Sequence, residues 1–213
     1  MADWRDERRR LSCDAMLREG ALSRVLDEIL EFWFGPPGGN DGYEKRKAWF
    51  EKDQAFDDEV RARFLDAHEA AAAGAFDSLA DEARRALALV IALDQFPRNM
   101  FRGSPRAYAT DGKALATATA AIERGFDLRV HYIPRLFFYL PYEHSEDLAV
   151  QRRSLELYQR LADDPEHDRS MYYARRHCEI IGRFGRFPHR NAVLGRETTP
   201  SEAEFLKEKD SSF

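Results

Sequence analysis

The stretch that decides the fold is Leu79–Phe96, which reads LADEARRALALVIALDQF. Wound as a helix, this stretch is apolar nearly all round, which is typical of a helix buried at the centre of a domain. Its longest uncharged run, Ala86–Leu93, is far short of the roughly 20 apolar residues that are needed to cross a bilayer. The sequence therefore predicts a central buried helix and no membrane partner.

Helical signals continue on both sides of this stretch, and strand signals are nearly absent. Ser23 is predicted to cap a helix that ends at Gly35. Further helices are predicted over about 45–50, 53–74, 104–124, 133–141, 145–161, 164–184 and from 199 onward. About eight helices with short links predict an all-α fold of antiparallel helical hairpins, stacked as an irregular solenoid because no strict 34-residue repeat is found.

Length and composition fit one domain. The chain has 213 residues, of which 44% are hydrophobic and 12% aromatic, enough for a substantial core. We expect residues 1–20 to form a polar N-terminal extension, 21–208 a single helical domain and 209–213 a tail. The charged N-terminus lacks the apolar core of a secretory signal, so a cytoplasmic location is the default expectation. The formal net charge of −5 gives no reason to expect a nucleic-acid partner.

Two nearly identical stretches lie about ninety residues apart, FPRN at 96–99 and FPHRN at 187–191. Proline lacks an N–H and disfavours helical geometry in the residue before it, so each Phe-Pro is predicted to stop a helix. Arg98 and Asn99 would then stand on one loop, and Arg190 and Asn191 on another, where binding groups often lie. The segment 175–196 also carries six arginines and one acid, and its part from Arg183 on, which includes Arg186, is the best candidate for trapping an anion. The equally weighted alternative is a solvated or ion-paired face.

Three polar residues occupy helix positions where an apolar one is expected: Asp94, Gln151 and His177. A buried carboxylate needs a cation or several donors, so Asp94 is expected to pair with Arg98 or Arg190. This anchoring role is favoured over catalysis. His177 is interpreted as a satisfied core histidine, whereas Gln151 could equally clamp backbone or hold a ligand.

A third cluster is Pro141–Glu146, which reads PYEHSE. Glu143 could orient the imidazole of His144 for general acid–base work. The same residues could simply start a helix, with Ser145 as its cap. The histidines lack the spacing of a metal site and no phosphate-binding glycine loop is present, so neither a metal nor a cofactor is expected.

Taken in order, these motifs, together with LEFWFG at 30–35 and LGR at 194–196, resemble the bacterial family of unknown function numbered 924, over about residues 22–207. The resemblance implies an all-α fold similar to tetratricopeptide-like superhelices, and no established activity. The positions of the family motifs that it implies here are Asp94, Arg98, Asn99, Glu143, His144, Arg190 and Asn191.

The leading functional prediction is a soluble protein that binds a small anionic or polar molecule where the three motifs converge. Arg98 and Arg190 would hold the anion, Asn99 and Asn191 would orient backbone or ligand, and Asp94 would fix the arginines. One alternative is a hydrolase in which His144 or His189 transfers the proton, assisted by Glu143. Another is a scaffold with a peptide or protein partner in its groove. A purely structural network of ion pairs is also left open.

Overall fold

A computed structural model describes residues 4–35 and 43–212, with side chains from residue 19 onward. The described chain is helical and contains no strand, which confirms the all-α prediction. Its α-helices are α1 (Trp4–Phe34), α2 (Gln54–Ala72), α3 (Ala83–Met100), α4 (Asp111–Glu123), α5 (Tyr132–Glu143), α6 (Leu148–Tyr158), α7 (His167–Phe184) and α8 (Pro200–Phe205). Short 3-10 helices join them, at Lys47–Trp49, Asp77–Leu79, Pro105–Tyr108, Asp127–Arg129, Gln159–Leu161 and Pro188–Arg190.

Helix α1 begins well before the predicted start. It runs without interruption from Trp4, so Ser23 lies inside the helix and does not cap it. The residues just before Ser23 are mostly good helix formers, and they carry the helix across the position where the N-terminal extension was expected to end. Gly35, at φ +83°, follows the last helical residue as predicted. The glycine-rich loop that the sequence predicts up to about residue 42 falls at 36–42, outside the described residues.

Helix α3 is the centre of the fold, as predicted. It contacts α1, α2, α4 and α5, and nearly every side chain from Ala86 to Met100 is buried. Aromatic rings pack between α3 and the neighbouring helices. Trp33 of α1 lies 5.7 Å from both Phe96 of α3 and Phe137 of α5, measured between ring centroids. Burying aromatic side chains of this size contributes much of the stabilisation of a core.

The prediction that Phe96-Pro97 stops a helix is wrong. Helix α3 continues through Pro97 to Met100, so Arg98 and Asn99 stand on its last turn. Pro97 cannot donate to the carbonyl of Leu93, one turn earlier. The hydroxyl of Thr110 donates to that carbonyl instead, at 2.6 Å, and so satisfies the acceptor that the proline leaves free.

The second Phe-Pro does lie in a loop. Helix α7 ends at Phe184, and Gly185 follows at φ +67°. Pro188 then opens a 3-10 turn that ends at Arg190. The helix is therefore stopped by the glycine, which adopts a left-handed conformation at little cost, before the proline is reached.

Successive helices pack on one another along the chain, α2 on α3, α3 on α4, and so on to α6 on α7. The finer prediction of a tetratricopeptide-like repeat stays a prediction, as does the division at residues 20 and 208. The last described residues, 209–212, fold back on α7, where the Tyr172 hydroxyl donates to Asp210 at 2.9 Å. None of the described helices is long and apolar enough to cross a membrane.

Candidate functional site

The site is built around Asp94, a fully buried carboxylate near the end of α3. It accepts hydrogen bonds from His144 Nδ1 at 2.9 Å and Gln95 Nε2 at 2.6 Å, and lies 3.3 Å from Arg98 Nη1. Burial alone would raise the pKa of Asp94. The charges of Arg98 and His144 outweigh it and lower the pKa to about 2. Asp94 is therefore ionised at neutral pH and can only accept hydrogen bonds.

His144 follows the last residue of α5 and is held from two directions. Its Nδ1 must carry a proton in order to donate to the ionised Asp94, which leaves Nε2 with a lone pair in the neutral ring. This Nε2 makes no hydrogen bond to any residue that the structure describes, and 14% of the side chain is exposed. Gln151 clamps the turn, because its Nε2 donates to the carbonyls of Glu143 at 2.6 Å and Ser145 at 2.7 Å. Gln151 thus takes the backbone-clamping role.

Arg98 links Asp94 to a second carboxylate, Asp111. Two parallel hydrogen bonds join the Arg98 guanidinium to Asp111, at 2.8 and 3.0 Å. Burial would lower the pKa of Arg98, but the charges of the two carboxylates outweigh it, and the pKa is raised. Sequence reasoning missed Asp111. The residue begins α4, where an aspartate is ordinarily explained by the helix dipole alone.

Arg190 reaches the same site from the second Phe-Pro loop. Only 6% of the residue is exposed. Its Nη1 donates to the carbonyl of His144 at 3.1 Å and lies 3.6 Å from Asp111 Oδ2. Its guanidinium carbon lies 4.4 Å from the ring centre of Phe187 and 4.7 Å from that of Tyr108. Its Nε is buried and has no hydrogen-bond partner among the described residues.

The electrostatics of Arg190 differ from those of Arg98. Burial, followed by the repulsion of Arg98, lowers the pKa of Arg190 to about 10, although Asp111 and Glu146 act in the opposite direction. Asp111 is already engaged by Arg98 through both of its oxygens, and Glu146 by Arg196 at 2.6 and 3.0 Å. Arg190 is consequently a buried cation with too little negative charge around it.

Asp94, Arg98, Asp111, His144 and Arg190 therefore form one contiguous group, the Asp94 cluster. It joins the ends of α3 and α5, the start of α4 and the 3-10 turn at 188–190. Four of the residues singled out from the sequence are brought together in it.

Glu143 does not contact the His144 ring in the manner predicted. Its carboxylate points to a separate buried group, where Oε1 lies 3.1 Å from His177 Nδ1 and Tyr158 is a hydrogen-bonding neighbour. Burial raises the pKa of Glu143 to about 7. Adjacent residues at a helix end face different ways, so the carboxylate that orients His144 is Asp94 and not Glu143.

His189, the other predicted base, is a poor acceptor of protons. Burial, followed by the charge of Arg190, lowers its pKa to about 3, so its ring is neutral at physiological pH. An efficient general base has a pKa near the working pH. Among the two predicted bases, His144 is better placed.

Asn99 lies outside the Asp94 cluster. Its side chain donates to Asp57 Oδ1 at 2.6 Å, and Arg102 binds the same carboxylate through Nε and Nη2. These contacts tie the last turn of α3 to α2. Asn99 is thus committed to a structural contact that neither chain position nor spacing revealed.

Arg186 and Asn191 are likewise committed elsewhere, to Glu202 of α8. Arg186 binds Glu202 with Nε at 2.7 Å and Nη2 at 2.9 Å. Asn191 Nδ2 lies 3.3 Å from the same carboxylate, and its Oδ1 accepts from Arg196 at 3.0 Å. These residues hold the second Phe-Pro loop to the C-terminal helix and do not surround an anion site.

The expected positive patch is largely neutralised. Five of its six arginines are ion-paired with acids: Arg176 and Arg183 with Glu208, Arg186 with Glu202, Arg190 with Asp111, and Arg196 with Glu146. Arg190 is buried, and Arg175 alone of the six has no ion pair with a residue in the described ranges. Anion binding by the exposed part of this segment is correspondingly weakened.

Two cavities lie away from the Asp94 cluster. One, of about 510 Å³, is lined mainly by α7, and the other, of about 230 Å³, lies between α1, Tyr43 and the start of α5. None of the predicted site residues lines either cavity, although Leu30, Glu31, Phe34 and Gly35 of the LEFWFG motif line the second. Within the described part of the chain, no group of three or more His, Cys, Asp or Glu is placed to hold a metal ion.

Comparison with known proteins identifies the family. The model of the family described as bacterial protein of unknown function, DUF924, matches residues 29–210. The chain belongs to this family. A solved structure, that of the protein of unknown function ATU0120 from Agrobacterium tumefaciens, is 44% identical to this chain. The two align with a TM-score of 0.77 over 88% of this chain and 99% of that one. Among curated proteins, none matches significantly.

Proposed function

We propose that the Asp94 cluster binds a small anion, with Arg190 as its principal contact. The observation that carries this proposal is the buried Nε of Arg190, for which the described part of the chain provides no hydrogen-bond partner. A buried charge is costly unless it is paired and hydrogen-bonded. Since Asp111 is already shared with Arg98, a bound anion would supply the missing charge and the missing acceptor together.

The surroundings of Arg190 favour binding because they hold the guanidinium in place before a ligand arrives. Phe187 and Tyr108 flank it at 4.4 and 4.7 Å, and the carbonyl of His144 fixes Nη1. A side chain that is already ordered loses less conformational entropy on binding.

The test is an anion series monitored by thermal unfolding. Acetate, nitrate, sulfate and phosphate are added at constant ionic strength to exhaustively dialysed protein. At least one should raise the melting temperature of the wild type and fail to do so in Arg190→Met, because a ligand that binds only the folded state stabilises it by mass action. Arg175→Met, which removes an exposed arginine from α7, is the matched control and should respond like the wild type. Equal responses in both variants, or none in the wild type, would refute the proposal.

A second candidate is acid–base catalysis by His144, supported by its Nδ1 hydrogen bond to the ionised Asp94 at 2.9 Å. A carboxylate on one ring nitrogen fixes the tautomer, so that the other nitrogen carries the lone pair that can accept a proton. In a hydrolysis, Nε2 would take the proton from an attacking water.

This candidate is tested with p-nitrophenyl acetate and p-nitrophenyl phosphate. His144→Ala should lower turnover by roughly 10²–10⁴-fold, the usual contribution of a positioned base, and should leave the melting temperature within a few degrees. His189→Ala should retain activity. Loss of activity in His189→Ala alone would move the proton transfer to that residue, and unchanged activity in His144→Ala would reject the candidate. The peptide-binding scaffold stays a prediction.

A further inference from the structure

We propose that the anion is a singly charged carboxylate, bound in the plane of the Arg190 guanidinium by Nε and Nη2 together. This inference rests on the proposed function and deepens it by naming the ligand class. The ligand would be a small organic acid rather than a phosphorylated or sulfated compound.

The first argument is which edge of Arg190 is free. Nη1 is occupied by the carbonyl of His144, whereas Nε is unpartnered and Nη2 donates to no described residue. Nε and Nη2 present two parallel N–H groups on the same edge of the guanidinium, which match the two oxygens of a carboxylate. This chain already uses that edge in this way: Arg186 binds Glu202 through the same pair of nitrogens, at 2.7 and 2.9 Å.

The second argument is the arrangement of the aromatic rings around the guanidinium. The rings of Phe187 and Tyr108 flank the Arg190 guanidinium, so an incoming group is guided to its edge. A planar carboxylate satisfies both oxygens there. A tetrahedral anion would bring two more oxygens, which need donors that the faces of these two rings do not offer.

The third argument is charge. In the Asp94 cluster the formal charges of the two arginines and the two aspartates sum to zero when His144 is counted as neutral. Glu146, also near Arg190, is paired with Arg196 and so leaves this balance unchanged. A monoanion adds one negative charge to this balance, whereas a dianion adds two beside carboxylates that are already present, and like charges at short range repel strongly in a buried site.

The inference is tested by NMR on the Nε–H signal of Arg190, assigned through its own side-chain and backbone correlations so that no substitution of this residue is required. The wild-type protein is titrated at pH 7 with sodium acetate and, separately, with sodium sulfate, at ionic strength held constant with sodium chloride. Acetate should shift the signal downfield and saturably, with a dissociation constant about tenfold or more below that of sulfate. The Nε–H of Arg186, already bound to Glu202, is the internal control and should not move.

The outcomes distinguish a failure of the carboxylate inference from a failure of anion binding itself. A saturable shift with sulfate and none with acetate would overturn the carboxylate and leave anion binding standing. No shift with either anion, together with no stabilisation in the thermal series, would overturn both. Asp111→Asn tests the charge argument: it should improve sulfate binding relative to acetate by about tenfold, because a dianion gains twice from the lost negative charge. An unchanged ratio would contradict that argument.

Discussion

Replacing Asp94 with asparagine keeps the shape of the side chain and removes the charge on which the site is built. In the folded protein the pKa of Asp94 falls from 3.8 to about 2. At about 1.4 kcal/mol per pKa unit, this difference corresponds to about 2 kcal/mol of stability from the ionised carboxylate. Because the residue is fully buried, solvent screening does not reduce this contribution.

The direction in which stability changes with pH follows from the linkage between proton binding and folding. A carboxylate whose pKa is lowered by folding stabilises the folded state fully above pH 3.8, and this stabilisation is lost as the pH falls towards 2. Asp94→Asn should therefore be less stable than the wild type by about 2–4 kcal/mol at pH 7, since Arg98 and His144 lose a buried partner. The difference in the free energy of unfolding between the two proteins should become smaller below pH 4.

Urea denaturation of both proteins between pH 2.5 and 7 measures this gap directly, because acid effects common to both proteins cancel in the difference. Asp168→Asn, at an exposed position of α7, is the matched control and should change the free energy of unfolding by less than about 0.5 kcal/mol. A gap that stays constant down to pH 2.5, or an Asp94→Asn protein as stable as the wild type at pH 7, would refute the electrostatic account of the site.

Two further predictions concern the supports of the cluster. Thr110→Val should lower the free energy of unfolding by about 1–3 kcal/mol in urea, since the carbonyl of Leu93 loses its 2.6 Å donor; a change within experimental error would show that the carbonyl finds another partner. Glu143→Gln should be more stable than the wild type above pH 7 and equal to it below pH 4.5. Folding raises the pKa of Glu143 to about 7, so the wild type loses stability as the pH rises between these values. Thermal unfolding at pH 4, 6 and 8 checks this, and a difference independent of pH would contradict it.

The sequence was sufficient for the fold class and for the central position of α3, because both depend on local periodicity. It failed at Pro97, since the repair by Thr110 comes from a residue that local rules do not consider. The local rule for proline was correct for an isolated helix, and the tertiary contact overrode it.

For the site, the polar residues on apolar helix faces were the informative signal. A buried Asp94 needs hydrogen-bond donors or a cation in the interior, and the structure contains them. Chain adjacency misled the interpretation of Glu143, whose side chain leaves the helix end in another direction from that of His144. Asp111 escaped notice because its role depends on Arg98, one helix away.

The hydrogen bond between Thr110 and Leu93 also affects the neighbouring residue. Because the missing N–H of Pro97 exposes a carbonyl on the flank of α3, the chain has an attachment point there for the beginning of α4. Asp111 comes next in sequence, so this attachment sets the register that delivers its carboxylate to Arg98. The missing hydrogen bond in α3 thus determines the position of the Asp111 carboxylate. Arg98 and Arg190 share the negative charge of this carboxylate.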